Sequence, residues 1–345
     1  MRLANIAPMR ILGLLLSSLW LVAAAPPPPP ALAPYIKNGR FDPGDYGWMR
    51  GRFEGASPAE KAQSEAIRAW TDRCFAEGLA QTRAELRAMG IPNPKLEQAD
   101  FREPLCAEVA SAPGPLSSRS FLDFQREAAA ARPIAETWLL ATRLAEEIGG
   151  PRGPTLADRL LARPLGEQMV RAAMSWGEGD LRSAPKLTTA GKAILMSHLA
   201  AAAAVRDRTN TEWLKDIVER EGWPMISKVG APASQQAWLL VQHADADPAF
   251  QLKVLRLMEP LTRSGEVSKR NYAYLYDRVM LKLTGKQRFA TQAMCKLGKR
   301  VPRPLEDDGA VGRERAAMEL EPLAEYMASM QELYGDCPPG AGPTH

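Results

Sequence analysis

The sequence predicts an all-α protein, a multi-helix bundle with helical-repeat-like packing as the runner-up architecture. Three observations predict it. Apolar residues recur at three- and four-residue spacing, as in Ala66, Ile67, Trp70, Cys74 and Phe75. Helix starters and stoppers bound these runs, Ser57-Pro58 ahead of one and Gly90, Gly149-Gly150 and Gly222 behind others. The β-branched alternation of a half-buried strand is missing, so no sheet is expected. No repeat period recurs cleanly, which leaves a stacked solenoid as the alternative only.

The chain opens with "MRLANIAPMR" and then "ILGLLLSSLWLVAAA", a basic start followed by a short apolar run and small residues. That pattern is a secretory signal peptide over residues 1–24, and the run is short for a membrane span. Without it the net charge of +4 falls to about +2, and no block of like charges remains. Nucleic acid is therefore not expected as a partner, nor stable membrane insertion after cleavage. "APPPPPALAP" (25–34) reads as an extended polyproline linker.

Residues 35–205 form an expected N-terminal helical region. Its lead-in, "YIKNGRFDPGDYGWMRGRFEGASP", has no helical period and offers Tyr46, Trp48 and Phe53 as anchors. Ser57, Pro58 and Glu60 then compose a capping box for a helix running to Gly90. A proline-bearing loop covers 91–118, and the next helix is broken or kinked at Pro133. Further helices follow in "TLADRLLARPLGEQMVRAAMSWGE" and "TAGKAILMSHLAAAAAVRDRTNTEWLKDIVEREGWP".

A C-terminal helical domain is expected over 206–337, with a tail at 338–345. Its first helix is "NTEWLKDIVEREGWP", capped by Asn210 or Thr211 and stopped at Gly222. "SQQAWLLVQHA", "DPAFQLKVLRLMEPLTRSG" and "SKRNYAYLYDRVMLKLTG" are helices with short connections, so neighbours pack antiparallel. "GKQRFATQAMCKLGKR" reads as a short helix or loop, and "GAVGRERAAMELEPLAEYMASMQELYG" closes a set of nine or ten helices.

Four cysteines allow three pairings. Two lie in each half, which suggests Cys74–Cys106 and Cys295–Cys337 in an oxidising compartment, with free buried thiols as the alternative. No cysteine pair has CxxC spacing and there are 3 histidines, so neither a structural metal site nor a cofactor is expected.

Walker A, GxGxxG, HExxH and GxSxG patterns are absent. What remains is a set of polar residues within apolar helices: Gln242, His243, Asp247, Gln251, Asp277, Arg278, Gln287, Thr291 and Gln292. Each is costly to bury alone, so they either satisfy one another or line a cavity. Asp247-Pro248 is explained as a helix start, and Asp245 as an exposed turn residue. Asp277 and Arg278 point about 100° apart on their helix, so one of them can reach the 239–251 turn. An Asp277 contact would orient His243, with Gln287 and Gln292 closing the ring. His198 reads as a packed helix residue.

"GWPMISKVGAPASQQAWLLVQHADADPAFQ", "AYLYDRVMLKLTGKQRFATQ" and "RERAAMELEPLAEY" together resemble the bacterial domain-of-unknown-function family 6624 over about residues 207–330. The resemblance implies a signature of Gly222, Trp223, Pro224, Trp238, Gln242, His243, Asp247, Gln251, Asp277, Arg278, Gln287 and Gln292, and no known reaction. Phe289-Ala290 stands where the family has Tyr-Gly. Three functions follow from the residues. One is an exported, periplasmic or secreted module that binds a small ligand or protein, with Gln242, Asp247, Gln251, Arg278, Gln287 and Gln292 around the site. Another is a hydrolase in which His243 is the general base and Asp277 or Asp247 orients it. The third is a structural scaffold.

Overall fold

A computed structural model describes residues 27–96, 102–112, 118–178 and 186–337. The expected signal peptide and the tail lie outside the described residues. The protein is all-α, with two small β-hairpins added. In chain order the helices are α1 (Pro58–Ala88), α2 (Pro104–Ser111), α3 (Phe121–Ile148), α4 (Leu156–Ala162), α5 (Leu165–Glu178) and α6 (Thr189–Glu221). They continue with α7 (Ile226–Val229), α8 (Ala231–Gln242), α9 (Pro248–Arg263), α10 (Lys269–Thr284), α11 (Val311–Ala317) and α12 (Leu323–Tyr334). The surplus over the expected number consists of short segments such as α4, α7 and α11. Among the described residues no helix is long and apolar enough to cross a membrane.

Local chemistry explains the boundaries. Ser57 and Glu60 form the capping box of α1, and Asp247 accepts from the Phe250 amide with Pro248 in the first turn of α9. Helix α3 runs on through Pro133, which is therefore neither a break nor an end. Helix α6 is a single rod capped by Thr188 and stopped at Gly222, whose φ of 77° suits a residue without Cβ. The expected start at Asn210 or Thr211 is thus interior to α6. No glycine or proline interrupts residues 192–221, so nothing in the backbone ends the helix there.

Two apolar cores flank this rod. Leu32, Tyr46, Trp48, Phe53, Ile67, Trp70, Phe124 and Leu199 belong to the first. Leu86, Leu160, Leu214, Trp223, Leu240, Phe250, Tyr276 and Phe289 belong to the second. Helices α1 and α6 each bury residues in both cores, and Leu86 and Leu160, from before residue 205, belong to the second. The linker also departs from expectation: Pro30–Tyr35 forms a 3-10 turn, and Leu32 is fully buried in the first core. A single leucine with a core to enter is enough to dock a proline-rich stretch.

The hairpins correct the expectation of no sheet. Strands β1 (Ile36–Lys37) and β2 (Arg40–Phe41) pair around Asn38-Gly39, both at positive φ. Strands β3 (Ala293–Lys296) and β4 (Lys299–Pro302) pair around Leu297-Gly298, at φ 51° and 73°. Both are two-residue turns with the backbone twist that suits a hairpin, so turn geometry forms these short ladders despite weak strand composition.

The two disulfides are Cys74–Cys106, joining α1 to α2, and Cys295–Cys337, joining β3 to the segment after α12. They close loops of 32 and 42 residues, each worth about 4 kcal/mol in the chain-entropy picture. Among the described residues no cysteine is free.

Candidate functional site

Helix α5 brings Glu167 and Arg171 to one face, four residues apart. Helix α6 carries Asp207 and Asn210, three apart, on the stripe that holds Ala203 above and Leu214 below. These two helices pack against each other along their length. The C-terminal end of α8 then places His243 against them.

The result is a buried acid–base cluster. His243 Nδ1 donates to Glu167 Oε1 at 2.7 Å. Asn210 Nδ2 donates to Glu167 Oε2 at 2.9 Å. Arg163 Nε holds the Asn210 carbonyl at 2.7 Å, and its guanidinium lies 5.0 Å from the Trp213 ring centre. The Glu167 side chain is sealed from solvent, while that of His243 keeps 16% of its surface open. Burial opposes ionisation of Glu167, but the His243 and Asn210 hydrogen bonds and nearby cations hold its carboxyl below the ordinary range. It is a carboxylate that fixes the imidazole with its proton on Nδ1. Nε2 has no partner among the described residues and retains its lone pair in the neutral ring.

Asp207 faces the same centre. Arg171 grips it with two hydrogen bonds of 3.1 and 2.8 Å. Burial, with the Glu167 charge adding to it, pushes its carboxyl up to about 6 against the pull of Arg171. One ligand-type atom from each of Glu167, Asp207 and His243 lies within 4.8 Å of the others. The same trio is spaced to hold a divalent ion, but Arg171 already engages both Asp207 oxygens and His243 turns an N–H toward Glu167. These partners suit a proton-handling centre.

A second charged set borders the first. Arg278 donates to both oxygens of Asp245 at 2.8 and 2.5 Å, and Lys282 Nζ meets the same carboxylate at 2.5 Å. Asp247 pairs with Lys215 at 2.9 Å while capping α9. Burial works against the Asp245 charge, yet the Arg278 and Lys282 contacts hold it well below the usual carboxylate range. A depressed folded-state pKa means stability that is present above the unfolded value and lost as the pH falls below it. Asp245→Asn is therefore expected to cost roughly 1 kcal/mol at pH 7, a value discounted for partial exposure. Urea denaturation at pH 7 and pH 3 checks it: the difference from the unmodified protein should shrink below about pH 4.

The remaining expected site residues are placed elsewhere. Asp277 is sealed, and its carboxylate accepts from the amides of Arg288, Phe289 and Thr291 at 2.8, 2.9 and 2.8 Å. It clamps the 288–291 loop, so the expected Asp277–His243 contact is replaced by Glu167–His243. Of the adjacent pair, Arg278 is the one that reaches the 239–251 turn. Gln287 donates to the carbonyls of Gln292 and Arg303 and accepts from the Gln292 amide, which ties the start of the β3–β4 hairpin. Gln292 turns its amide to Thr291 Oγ1 at 3.3 Å, and Gln251 bonds the Val241 carbonyl at 2.9 Å. Gln242 and Gln251 each keep a buried Oε1 without a partner, and neither closes a ring around His243 with Gln287 or Gln292. Phe289 is packed edge-on against Tyr272 and Tyr276. Ala290, at φ 54°, holds a left-handed conformation that glycine adopts freely. His198 bonds the Tyr46 hydroxyl at 2.7 Å within the first core.

Sequence reasoning passed over Glu167, Arg171, Asp207 and Asn210. The signal was there: Glu167 sits on the face of Val170 and Ala173, and Asp207 and Asn210 continue the stripe of Leu199 and Ala203 once α6 is unbroken. Polar groups on an apolar stripe must find partners.

The fold and the cluster define a class: an all-helical domain whose polar centre is a carboxylate–imidazole pair joined by a second carboxyl group. Residues 167–337 match the model of a family described as "Family of unknown function (DUF6624)", and this region of the chain belongs to it. The matched region begins at Glu167 itself and includes Arg171, Asp207, Asn210 and His243, while Arg163 lies just before it. No curated protein and no solved structure matches the chain.

Proposed function

We propose that this is an exported protein whose 167–337 region is a hydrolytic acid–base centre with His243 as general base. The observation that carries the reading is the 2.7 Å hydrogen bond from His243 Nδ1 to a sealed Glu167 carboxylate. A buried carboxylate fixing one imidazole nitrogen leaves the other free to take a proton, which is how a histidine is made into a directed base. In the reaction, Nε2 takes a proton from the attacking water as its oxygen bonds the substrate centre. Asp207, protonated below about pH 6, returns a proton to the departing oxygen or nitrogen. Glu167 only positions. Export is supported by the basic-then-apolar pattern of residues 1–24 and by the two disulfides.

Chromogenic esters, amides and phosphoesters turned over by the full mature chain test this. His243→Gln should lower kcat/KM at least about a hundredfold while the unfolding midpoint stays put. Activity should also decline as the pH rises through about 6, where Asp207 loses its proton. Equal turnover by the parent protein and His243→Gln would sink the reading. A binding module without turnover is the second reading, favoured by the large cavity that adjoins Asn210.

A further inference from the structure

Next to the cluster, on the other side of Asn210, lies an open cavity of about 660 Å³. Its wall carries Arg40, Arg143, Arg159, Arg163 and Arg206 against a single acid, Glu146. Arg206 and Glu146 neutralise each other through hydrogen bonds of 2.9 and 3.2 Å. Arg40 pairs with Glu108 outside this wall. Arg163 is spent on neutral acceptors, the Asn210 side chain and the Thr209 carbonyl. Arg143 makes no ion pair among the described residues, and Arg159 has a buried Nε with no hydrogen-bond partner. Arg143, Arg159 and Arg163 therefore line one cavity with no ion pair of their own among the described residues, although Glu146 and Glu167 lie near enough to Arg163 to favour its charge. Grouping like charges in a partly dry cleft costs stability, and a buried donor such as Arg159 Nε costs more when left unpaired. The flat Trp213 ring forms part of the same wall.

We infer that this cavity is a binding site for a small organic oxyanion, with Arg143, Arg159 and Arg163 as its anion receptors and Trp213 as the surface for its non-polar part. Guanidinium forks match carboxylate and phosphate oxygens in pairs, which a single lysine does not. The volume falls in the range of small-molecule sites. The inference rests on the cavity and its arginines, not on the acid–base reading of His243.

Isothermal titration of the full mature chain with inorganic phosphate, pyrophosphate and citrate, in buffers of matched ionic strength, tests it. Saturable binding is expected for at least one probe. Binding of citrate alone identifies a carboxylate ligand, and binding of phosphate or pyrophosphate a phosphoryl one. Kd should weaken at least tenfold in Arg143→Glu, an exposed position where the fold tolerates charge reversal, and again in Arg159→Ala, with unfolding midpoints recorded for both. His243→Gln should bind as the parent protein does. No saturable binding by any probe, or unchanged Kd in both arginine variants, overturns the inference. So does binding that survives Arg143→Glu but is lost in His243→Gln, since that result moves the site to the cluster.

Discussion

Asp277→Ala is expected to lower the stability of the protein by about 4 kcal/mol or more, the largest loss from any single side chain discussed above. The carboxylate has no solvent contact and accepts three backbone N–H groups of the loop after α10. A hydrogen bond to a charged group contributes roughly 1.5–3 kcal/mol, and truncation strands three amides in a dry interior. The damage spreads through a shared scaffold. Arg315, itself buried, holds the Phe289 carbonyl at 2.6 Å, and the Tyr326 hydroxyl holds that of Thr291 at 2.7 Å. Denaturant titration of Asp277→Ala measures the loss, and Asp277→Asn should recover only part of it, because one of its two side-chain atoms no longer accepts. A loss under about 1 kcal/mol would mean the loop is held without the carboxylate.

Glu167→Gln is expected to reduce turnover by roughly a thousandfold while leaving the fold in place. The amide is the same shape and still meets Asn210, but it fits either tautomer of His243. The imidazole then places its proton on Nε2 for part of the time and loses its base at the working atom. Nitrogen chemical shifts of the His243 ring report the tautomer directly and need no substrate. The parent protein should show a protonated Nδ1 in the neutral ring, and Glu167→Gln a mixture. A merely structural role for Glu167 would leave the tautomer and any turnover alone and appear only in the unfolding midpoint.

Much of the local architecture was legible in residue order. Ser57 with Glu60 and Asp247 with Pro248 capped the helices expected of them, since capping depends on three or four neighbouring residues. The pairing of Cys74 with Cys106 and of Cys295 with Cys337 followed the grouping of the cysteines along the chain. Arg278 reached the turn after α8 because helical spacing let only one of Asp277 and Arg278 do so. Errors arose where a local signal was overridden. The cap-like Asn210 and Thr211 suggested a new helix start, and α6 continued because burial on both cores outweighed a preference worth only about 1 kcal/mol. The hairpin at Leu297-Gly298 formed from its turn, without strand-like composition.

Residue order alone determined that the protein is helical, where most helices start, and that His243 ends an apolar helix and needs a polar partner. The tertiary structure alone decided which partner. Glu167 lies 76 residues away in sequence, and no periodicity or motif connects the two. They meet because α5, α6 and α8 bury their apolar stripes against one another, and that packing brings a sealed Glu167 against the partly buried Asp207 and His243. Asp277, nearer in sequence and also a carboxylic acid, is drawn instead to three loop amides, since a sealed carboxylate goes where the most unpaired donors lie.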